Sequence, residues 1–274
     1  MRILITGATG NVGRNVVEQL REFAPDAELR ALSRNPEAAL PADVELAVGD
    51  LAAPETLADA FKGVDAVHFI NFAGEQYGAL PDPAAVVALA EQAGVRRCTV
   101  LGGMADGSFE RLLEASPIET TYLHPVEFMS NAIMWWAEPI KAEGAIREPF
   151  GDRLSAMVHP SDIGAVAAKA LLDGGHDGRS LVITGPEVLT MQEKVRVLSA
   201  AIGREIEFVE LTVEEAHAKW RGEGMPEGVI AFLTEALGNT PEEGKTVANT
   251  VEEVTGRPAR TFAEWAAEHV EAFR

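Results

Sequence analysis

The sequence predicts an α/β chain built on a doubly wound parallel sheet. Three observations lead there. Residues 2–6 form a short apolar run that breaks into evenly spaced glycines and then into a helical apolar stripe. Further apolar runs of strand length recur along the first half of the chain, with helix signals between them. The connections are short, and alternating strands and helices on short loops are most economically arranged as parallel strands covered on both faces.

The opening stretch MRILITGATGNVGRNVV carries the first strand, with Gly7, Gly10 and Gly13 at a spacing of three. Val12, Val16, Val17 and Leu20 then mark the buried side of a helix. A pyrophosphate reaches backbone amides at a helix start only where no Cβ intervenes. Gly7 would allow the tight turn, Gly10 the phosphate contact and Gly13 the packing of helix on strand. Strand, glycine turn and helix together are the context that a dinucleotide-binding motif needs.

Residues 27–33 read as the second strand, followed at once by Arg34. In such a fold this strand end faces the adenosine ribose, where a carboxylate would select NAD and a cation accommodates the extra phosphate of NADP. Ser33 and Arg34 stand there with no carboxylate, which favours NADP(H) over NAD(H); the plainer alternative is a solvated arginine before Pro36. Val44–Val48 is the third strand, ending in Gly49, Asp50 and Leu51, ahead of a helix opened by Pro54. Residues 64–70 form a nearly unbroken apolar fourth strand, with His68 read as a satisfied core residue. Asn71 and Phe72 leave its carboxyl end, where open α/β sheets bind ligands.

Asp82 and Pro83 have the chemistry of a cap and first helical residue, and Gly94 that of a stop. Residues 98–101 supply the fifth strand, closing with Gly102, Gly103 and Met104. Its Cys98 is read as a small buried residue and not a nucleophile. A helix at 108–115 and a sixth strand at 120–123 follow. In the tail, Thr190 with Glu193, Thr212 with Glu215, Thr250 with Glu253 and Thr261 with Glu264 have capping-box spacing, so short helices are expected. The last carries Phe262, Trp265, Val270 and Phe273 as a packing side.

Composition narrows the partners. A formal net charge of −20 and the lack of a basic run argue against nucleic acid. No stretch approaches the ~20 apolar residues of a membrane helix, so a cytoplasmic protein is expected. The single cysteine leaves no internal disulfide or cysteine-cluster metal site, and no metal is assigned. The remaining partner is a small-molecule substrate; a homodimer is left open.

The segment Tyr122-Leu123-His124-Pro125-Val126-Glu127-Phe128-Met129-Ser130-Asn131 resembles the NmrA-like, atypical short-chain dehydrogenase/reductase family, in which Leu-Arg-Pro precedes Phe-Met and an Asn. The resemblance continues at His159-Pro160-Ser161-Asp162-Ile163, at Ile183-Thr184-Gly185-Pro186-Glu187 and at Thr255-Gly256-Arg257-Pro258. It implies a Rossmann-type NADP-binding domain over residues 1–124 and 153–184. A smaller, mainly helical C-terminal lobe over 125–152 and 185–274 would complete the substrate cleft. His124 stands where the family commonly has arginine, and it reads equally as a titrating group near the nicotinamide or as a tolerated substitution at a strand end.

The resemblance also distributes roles. Gly7, Thr9, Gly10, Asn11, Val12 and Gly13 would hold the pyrophosphate, Ser33 and Arg34 the ribose phosphate, and Asp50 and Leu51 the adenine. Asn71, Phe72, Gly102, Gly103, Met104 and Pro125 would line the nicotinamide end. Met104, Phe128, Met129, Asn131 and Trp135 would face the substrate, with Met134 and Trp136 nearby; helix packing explains the same apolar residues equally well.

The superfamily's usual Tyr-x-x-x-Lys proton relay is missing, because Tyr77 and Tyr122 are followed four residues on by Pro81 and Val126. Reduction of an electron-poor acceptor demands less, since the cofactor carries the chemistry and the protein orients the acceptor. The expected function is an NADPH-dependent oxidoreductase acting on a quinone-like or other conjugated aromatic molecule, with Tyr122 or His124 as proton donor. The alternative is a non-catalytic NADP(H) redox sensor of the NmrA type.

Overall fold

The computed structural model describes residues 1–74, 78–102 and 107–274. In chain order the elements begin with β1 (Arg2–Ile5), α1 (Asn11–Phe23), β2 (Glu28–Ser33), β3 (Val44–Val48), β4 (Ala66–Ile70), β5 (Phe72–Ala73) and β6 (Gly78–Ala79). Next come α2 (Pro83–Ala93), β7 (Arg97–Leu101), α3 (Ser108–Glu114), β8 (Glu119–Pro125), α4 (Asn131–Glu143) and β9 (Ala145–Pro149). The chain continues through α5 (Pro160–Asp173), β10 (Ser180–Ile183), α6 (Met191–Ile202), β11 (Glu207–Leu211), α7 (Val213–Gly222), α8 (Glu227–Gly238), α9 (Thr250–Thr255) and α10 (Phe262–Glu268).

The chain divides into two units, the first comprising Met1–Pro125, Pro160–Ile183 and Thr250–Arg257. It is built on a seven-stranded sheet of order β10-β8-β7-β4-β1-β2-β3, with every pair parallel. The order reverses between β1 and β4, so their carboxyl ends form the topological switch point where open sheets hold ligands.

The two faces of the sheet are covered differently. On one, α1 presents Val12, Val16, Val17 and Leu20 inward and packs on α5. A Cβ on Gly164 would lie 2.6 Å from the Asn15 carbonyl oxygen, so the helices meet backbone to backbone. Ser161 Oγ also donates to Asn15 Oδ1 across 2.8 Å. Another apolar cluster gathers Leu57, Phe61, Phe69, Val86, Phe109 and Ile118. Phe69 and Phe109 meet edge to face at 5.2 Å between ring centroids, a favourable aromatic geometry.

Helix boundaries follow the chemistry read from the sequence. Asp82 Oδ1 accepts from Ala85 N at 3.0 Å, and Gly94, at φ +79°, ends α2 in a left-handed conformation that suits glycine. Three departures stand out. Pro54 opens only the 3₁₀ turn Pro54–Thr56, because Leu57 turns into the core where another helical turn would begin. The seventh strand, β10, was not expected. Residues 153–159 fall outside the first unit, whereas Thr250–Arg257 fall inside it, where Arg257 bonds Gln19 Oε1 at 2.9 Å and pairs with Glu22.

The second unit comprises Val126–His159, Thr184–Asn249 and Pro258–Arg274. Its helices surround a core of Met129, Trp136, Ile140, Met157, Leu198, Trp265 and Phe273. Capping boxes form at Thr190, Thr212 and Thr261, as their spacing predicts. At the fourth position Thr250 lies inside α9 instead of preceding it. The unit also contains a parallel pair, β9 with β11, in register from Ala145 opposite Glu207 to Pro149 opposite Leu211. Among the described residues no helix is long and apolar enough to cross a membrane.

Candidate active site

The glycine turn connects β1 to α1 at the switch point. Gly7 has φ +60°, and a Cβ there would meet the Ile70 side chain at 3.1 Å. Gly10 N donates to Gly7 O at 2.9 Å and closes the turn. A Cβ on Gly13 would lie 2.2 Å from Gly7 O and 2.6 Å from Gly7 C, so the helix can rest on the strand only with glycine there. Thr9 and Gly10 are exposed, Asn11 is half-buried and Val12 is buried.

The start of α1 has no side-chain cap and no acidic residue in its first turn. First-turn amides have no intrahelical acceptor, so this end combines N–H donors with the positive end of the helix dipole. A bare glycine cradle over such an end fits a pyrophosphate.

At the end of β2, Ser33 is buried and its Oγ accepts from Asn35 N at 3.1 Å. Arg34 is exposed and makes neither a hydrogen bond nor an ion pair among the described residues, whereas every other lysine and arginine there engages a neighbour. Asp50 shapes its own turn: its Oδ1 accepts from Ala52 N at 2.9 Å while its N–H donates to Thr56 Oγ1 at 3.0 Å. Leu51 is 5% exposed and its side chain packs in the core, away from its expected place against an adenine.

On the other side of the switch point, Asn71 follows β4 and is 1% exposed. Its Nδ2 donates to Glu110 Oε1 of α3 at 2.5 Å. Phe72 and Gly102 are partly exposed; Tyr77, Gly103 and Met104 lie outside the described residues. Tyr122 is buried, and its hydroxyl donates to the Glu110 carbonyl oxygen at 3.4 Å. Burial, then the charge of Glu114, raises its pKa, the opposite of what a lysine neighbour does in the usual relay. His124 is exposed on β8 beside Gly102, where a Cβ on the glycine would lie 3.1 Å from His124 Cε1. Pro125, the last residue of β8, is half-buried.

In the second unit, Phe128, Asn131 and Trp135 are partly exposed, Met134 is 74% exposed and Trp136 is buried. Met129 is 1% exposed in the core beside Met157 and Trp136, so packing accounts for it and the expected substrate contact does not. The segment is pinned by Val158, which donates to Glu127 O at 2.8 Å and accepts from Met129 N at 2.9 Å.

Beneath this segment lies a charged cluster that sequence reading missed. Arg153 donates to both Glu127 carboxylate oxygens at 2.7 and 3.1 Å, Ser155 Oγ donates to the same carboxylate at 2.6 Å, and Lys194 Nζ stands 2.7 Å from Ser155 Oγ. Burial raises the Glu127 pKa, but Lys194 and Arg153 outweigh it and hold the carboxyl at about 2. No sequence signal joins positions 127, 153, 155 and 194, since their association exists only after folding.

A parallel doubly wound sheet with an uncapped glycine turn at its switch point defines a dinucleotide-binding protein of the Rossmann class. Comparison with known proteins agrees and narrows the class. A family profile described as NAD(P)H-binding matches residues 7–126. The chain is 37% identical to (4-alkanoyl-5-oxo-2,5-dihydrofuran-3-yl)methyl phosphate reductase of Streptomyces griseus, over 99% of each chain. It is 34% identical to NAD(P)H azoreductase of Xenophilus azovorans, again over 99% of each. A crystal structure of an NADPH-dependent quinone oxidoreductase from Escherichia coli superposes with TM-score 0.80 at 25% identity, covering 97% of this chain and 98% of that one. The chain belongs to the NmrA-like, atypical short-chain dehydrogenase/reductase family, and it is an NAD(P)H-dependent oxidoreductase lacking Tyr-x-x-x-Lys.

Proposed function

We propose that the protein is an NADPH-dependent reductase of quinone-like or other conjugated aromatic small molecules. The observation that carries this reading is Tyr122: its hydroxyl is engaged by a main-chain carbonyl and its pKa is raised, so the proton relay for simple ketones and alcohols is missing. An acceptor whose reduced form stabilises negative charge has no need of that relay. The activities for which the azoreductase and quinone oxidoreductase relatives are named support the same class.

The coenzyme side is assigned to residues whose geometry suits it. Gly7, Thr9, Gly10, Asn11, Val12 and Gly13 bind the pyrophosphate through the bare turn and helix start. Arg34, unpaired among the described residues, binds the 2′-phosphate and gives the preference for NADP(H), with Ser33 beside it. Asp50 flanks the adenine. Asn71, Phe72, Gly102 and Pro125 lie toward the nicotinamide.

When bound, the reduced nicotinamide supplies the hydride. Phe128 and Trp135 offer flat apolar surface that orients a planar acceptor, and Asn131 offers a polar contact to its oxygen or nitrogen. His124, exposed at the end of β8, holds and delivers the accompanying proton, with Tyr122 remaining a buried neutral phenol.

Steady-state oxidation of NADPH against quinones and azo dyes tests the proposal. Turnover faster with NADPH than with NADH is the expected result. Tight coenzyme binding without turnover on any acceptor would overturn it.

A further inference from the structure

Among the described residues Phe150 is the one non-glycine with a left-handed backbone, at φ +60°; the other positive values fall on glycines. A bulky residue is strained there and persists only where its surroundings fix it. Three bonds do so. Phe150 O accepts from Arg153 N at 2.9 Å, Gly151 N donates to Glu210 Oε1 at 2.9 Å, and the Arg153 guanidinium grips the Glu127 carboxylate at 2.7 Å.

Packing does not explain why this position carries an aromatic ring. Phe150 is half-buried, and it joins neither the core around Trp265 nor the small apolar cluster of Ala216, Trp220 and Ile230. Its ring tip rests on α8 instead: a Cβ on Gly238 would lie 3.1 Å from Phe150 Cζ, so the glycine leaves the space that the ring occupies. Glycine at position 150 would relieve the backbone, so what the strained residue supplies is the ring.

Its place in the second unit says what that ring can meet. The chain leaves α4 at Gly144, at φ +68°, and turns back at once into β9. Glu148 of β9 hydrogen-bonds the Trp136 side chain of α4, which fixes how strand and helix align. Two further residues of extended chain advance about 7 Å, the rise of four to five helical residues, so Phe150 stands level with the first turn of α4. Arg153 confirms the alignment by reaching Glu127, the residue before Phe128. Phe150 therefore lies at the end of the unit that carries Phe128, Asn131 and Trp135.

Resting on the reductase reading given above, we infer that Phe150 is a specificity-determining residue of the acceptor site: its ring is a flat apolar wall on which a planar conjugated acceptor stacks, and Gly238 positions it. Stacking and apolar burial both grow with the area of overlap, so a fused-ring acceptor uses the wall more than a single ring does.

Two variants of the intact protein test this. Initial rates of NADPH oxidation are compared for 1,4-benzoquinone, 1,4-naphthoquinone and 9,10-phenanthrenequinone, a series of increasing ring area. In Phe150→Gly, kcat/KM should fall about tenfold for phenanthrenequinone and about threefold for benzoquinone, with most of the loss in KM. The melting temperature should be unchanged or raised, because the left-handed turn suits glycine, and NADPH affinity should be unchanged. Gly238→Ala retains the ring but crowds its tip, and it should lower the phenanthrenequinone-to-benzoquinone ratio of kcat/KM about threefold.

Equal losses for every quinone in Phe150→Gly would overturn the inference, because a ring that only packs affects all acceptors alike. A lowered melting temperature with an unchanged ratio would overturn it for the same reason. If Phe150→Gly does not fold, the ratio in Gly238→Ala decides, and an unaltered ratio there counts against the wall. If the wild-type protein turns over neither the quinones nor azo dyes, the reductase reading itself fails and this one with it.

Discussion

The carbonyl oxygen of Gly7 lies 2.2 Å from where a Cβ on Gly13 would be, so the first turn of α1 closes on the end of β1 without space for a side chain. Gly13→Ala must push helix and strand apart, at an overpacking cost of about 1–3 kcal/mol. A lowered urea midpoint should report it. Gly10 is different: its Cβ would lie 3.1 Å from the same oxygen, and the residue is exposed. Gly10→Val should leave the chain folded but cover the helix start, abolishing NADP(H) binding. An unchanged dissociation constant would contradict placement of the pyrophosphate there.

Arg34 engages no other described residue, so Arg34→Ala should leave the melting temperature unchanged. A charge-assisted bond to phosphate is worth roughly 1.5–3 kcal/mol, which corresponds to a tenfold or larger loss of NADPH affinity. NADH affinity should change little. Equal losses for the two coenzymes would show that the arginine does not read the 2′-phosphate.

His68 gives the fold a pH dependence. Burial depresses its pKa from 6.5 to about 4, while its Nδ1 lies 2.9 Å from Thr99 Oγ1. Between these values the unfolded chain takes up a proton that the folded chain does not, so stability falls as pH drops from about 6.5 to about 4. The full contribution is on the order of 3 kcal/mol. Urea unfolding at several pH values should show this slope in the wild-type protein and a shallower one in His68→Gln; parallel curves would refute the assignment.

Glu127 is the only carboxylate shown bonding both Arg153 and Lys194 among the described residues. Glu127→Gln leaves two buried cations without their shared counter-ion, which should cost about 3–5 kcal/mol of stability in denaturant unfolding. A loss below about 1 kcal/mol would mean that the cluster is solvated in solution.

How far this could be read in advance differs between the two units. The first six sheet strands and the glycine turn were legible because each is local: an apolar run, a punctuating glycine or proline, a stripe at helical spacing. Arg34 was legible as a cation at a strand end, but its lack of any partner among the described residues was not, since pairing is a property of the fold. In the second unit the capping boxes at Thr190, Thr212 and Thr261 were readable from a threonine and a glutamate three residues apart. The pairing of β9 with β11 was not, because Ala145 and Glu207 meet across the intervening chain and neither strand alternates cleanly enough to announce a partner. The same separation hid the union of Asn71 with Glu110 and of Glu127 with Lys194. For Met129 the sequence left packing and ligand contact equally open, because a methionine suits a packed core as well as a flat ligand, and its burial is a property of the fold.

The most direct measurement is titration calorimetry of the purified protein with NADP⁺ and NAD⁺ in parallel. A bound coenzyme at the bare glycine turn predicts saturable heat with one molecule per chain, and tighter binding of the phosphorylated form. No heat from either would contradict a dinucleotide at that turn and, with it, the proposed reductase.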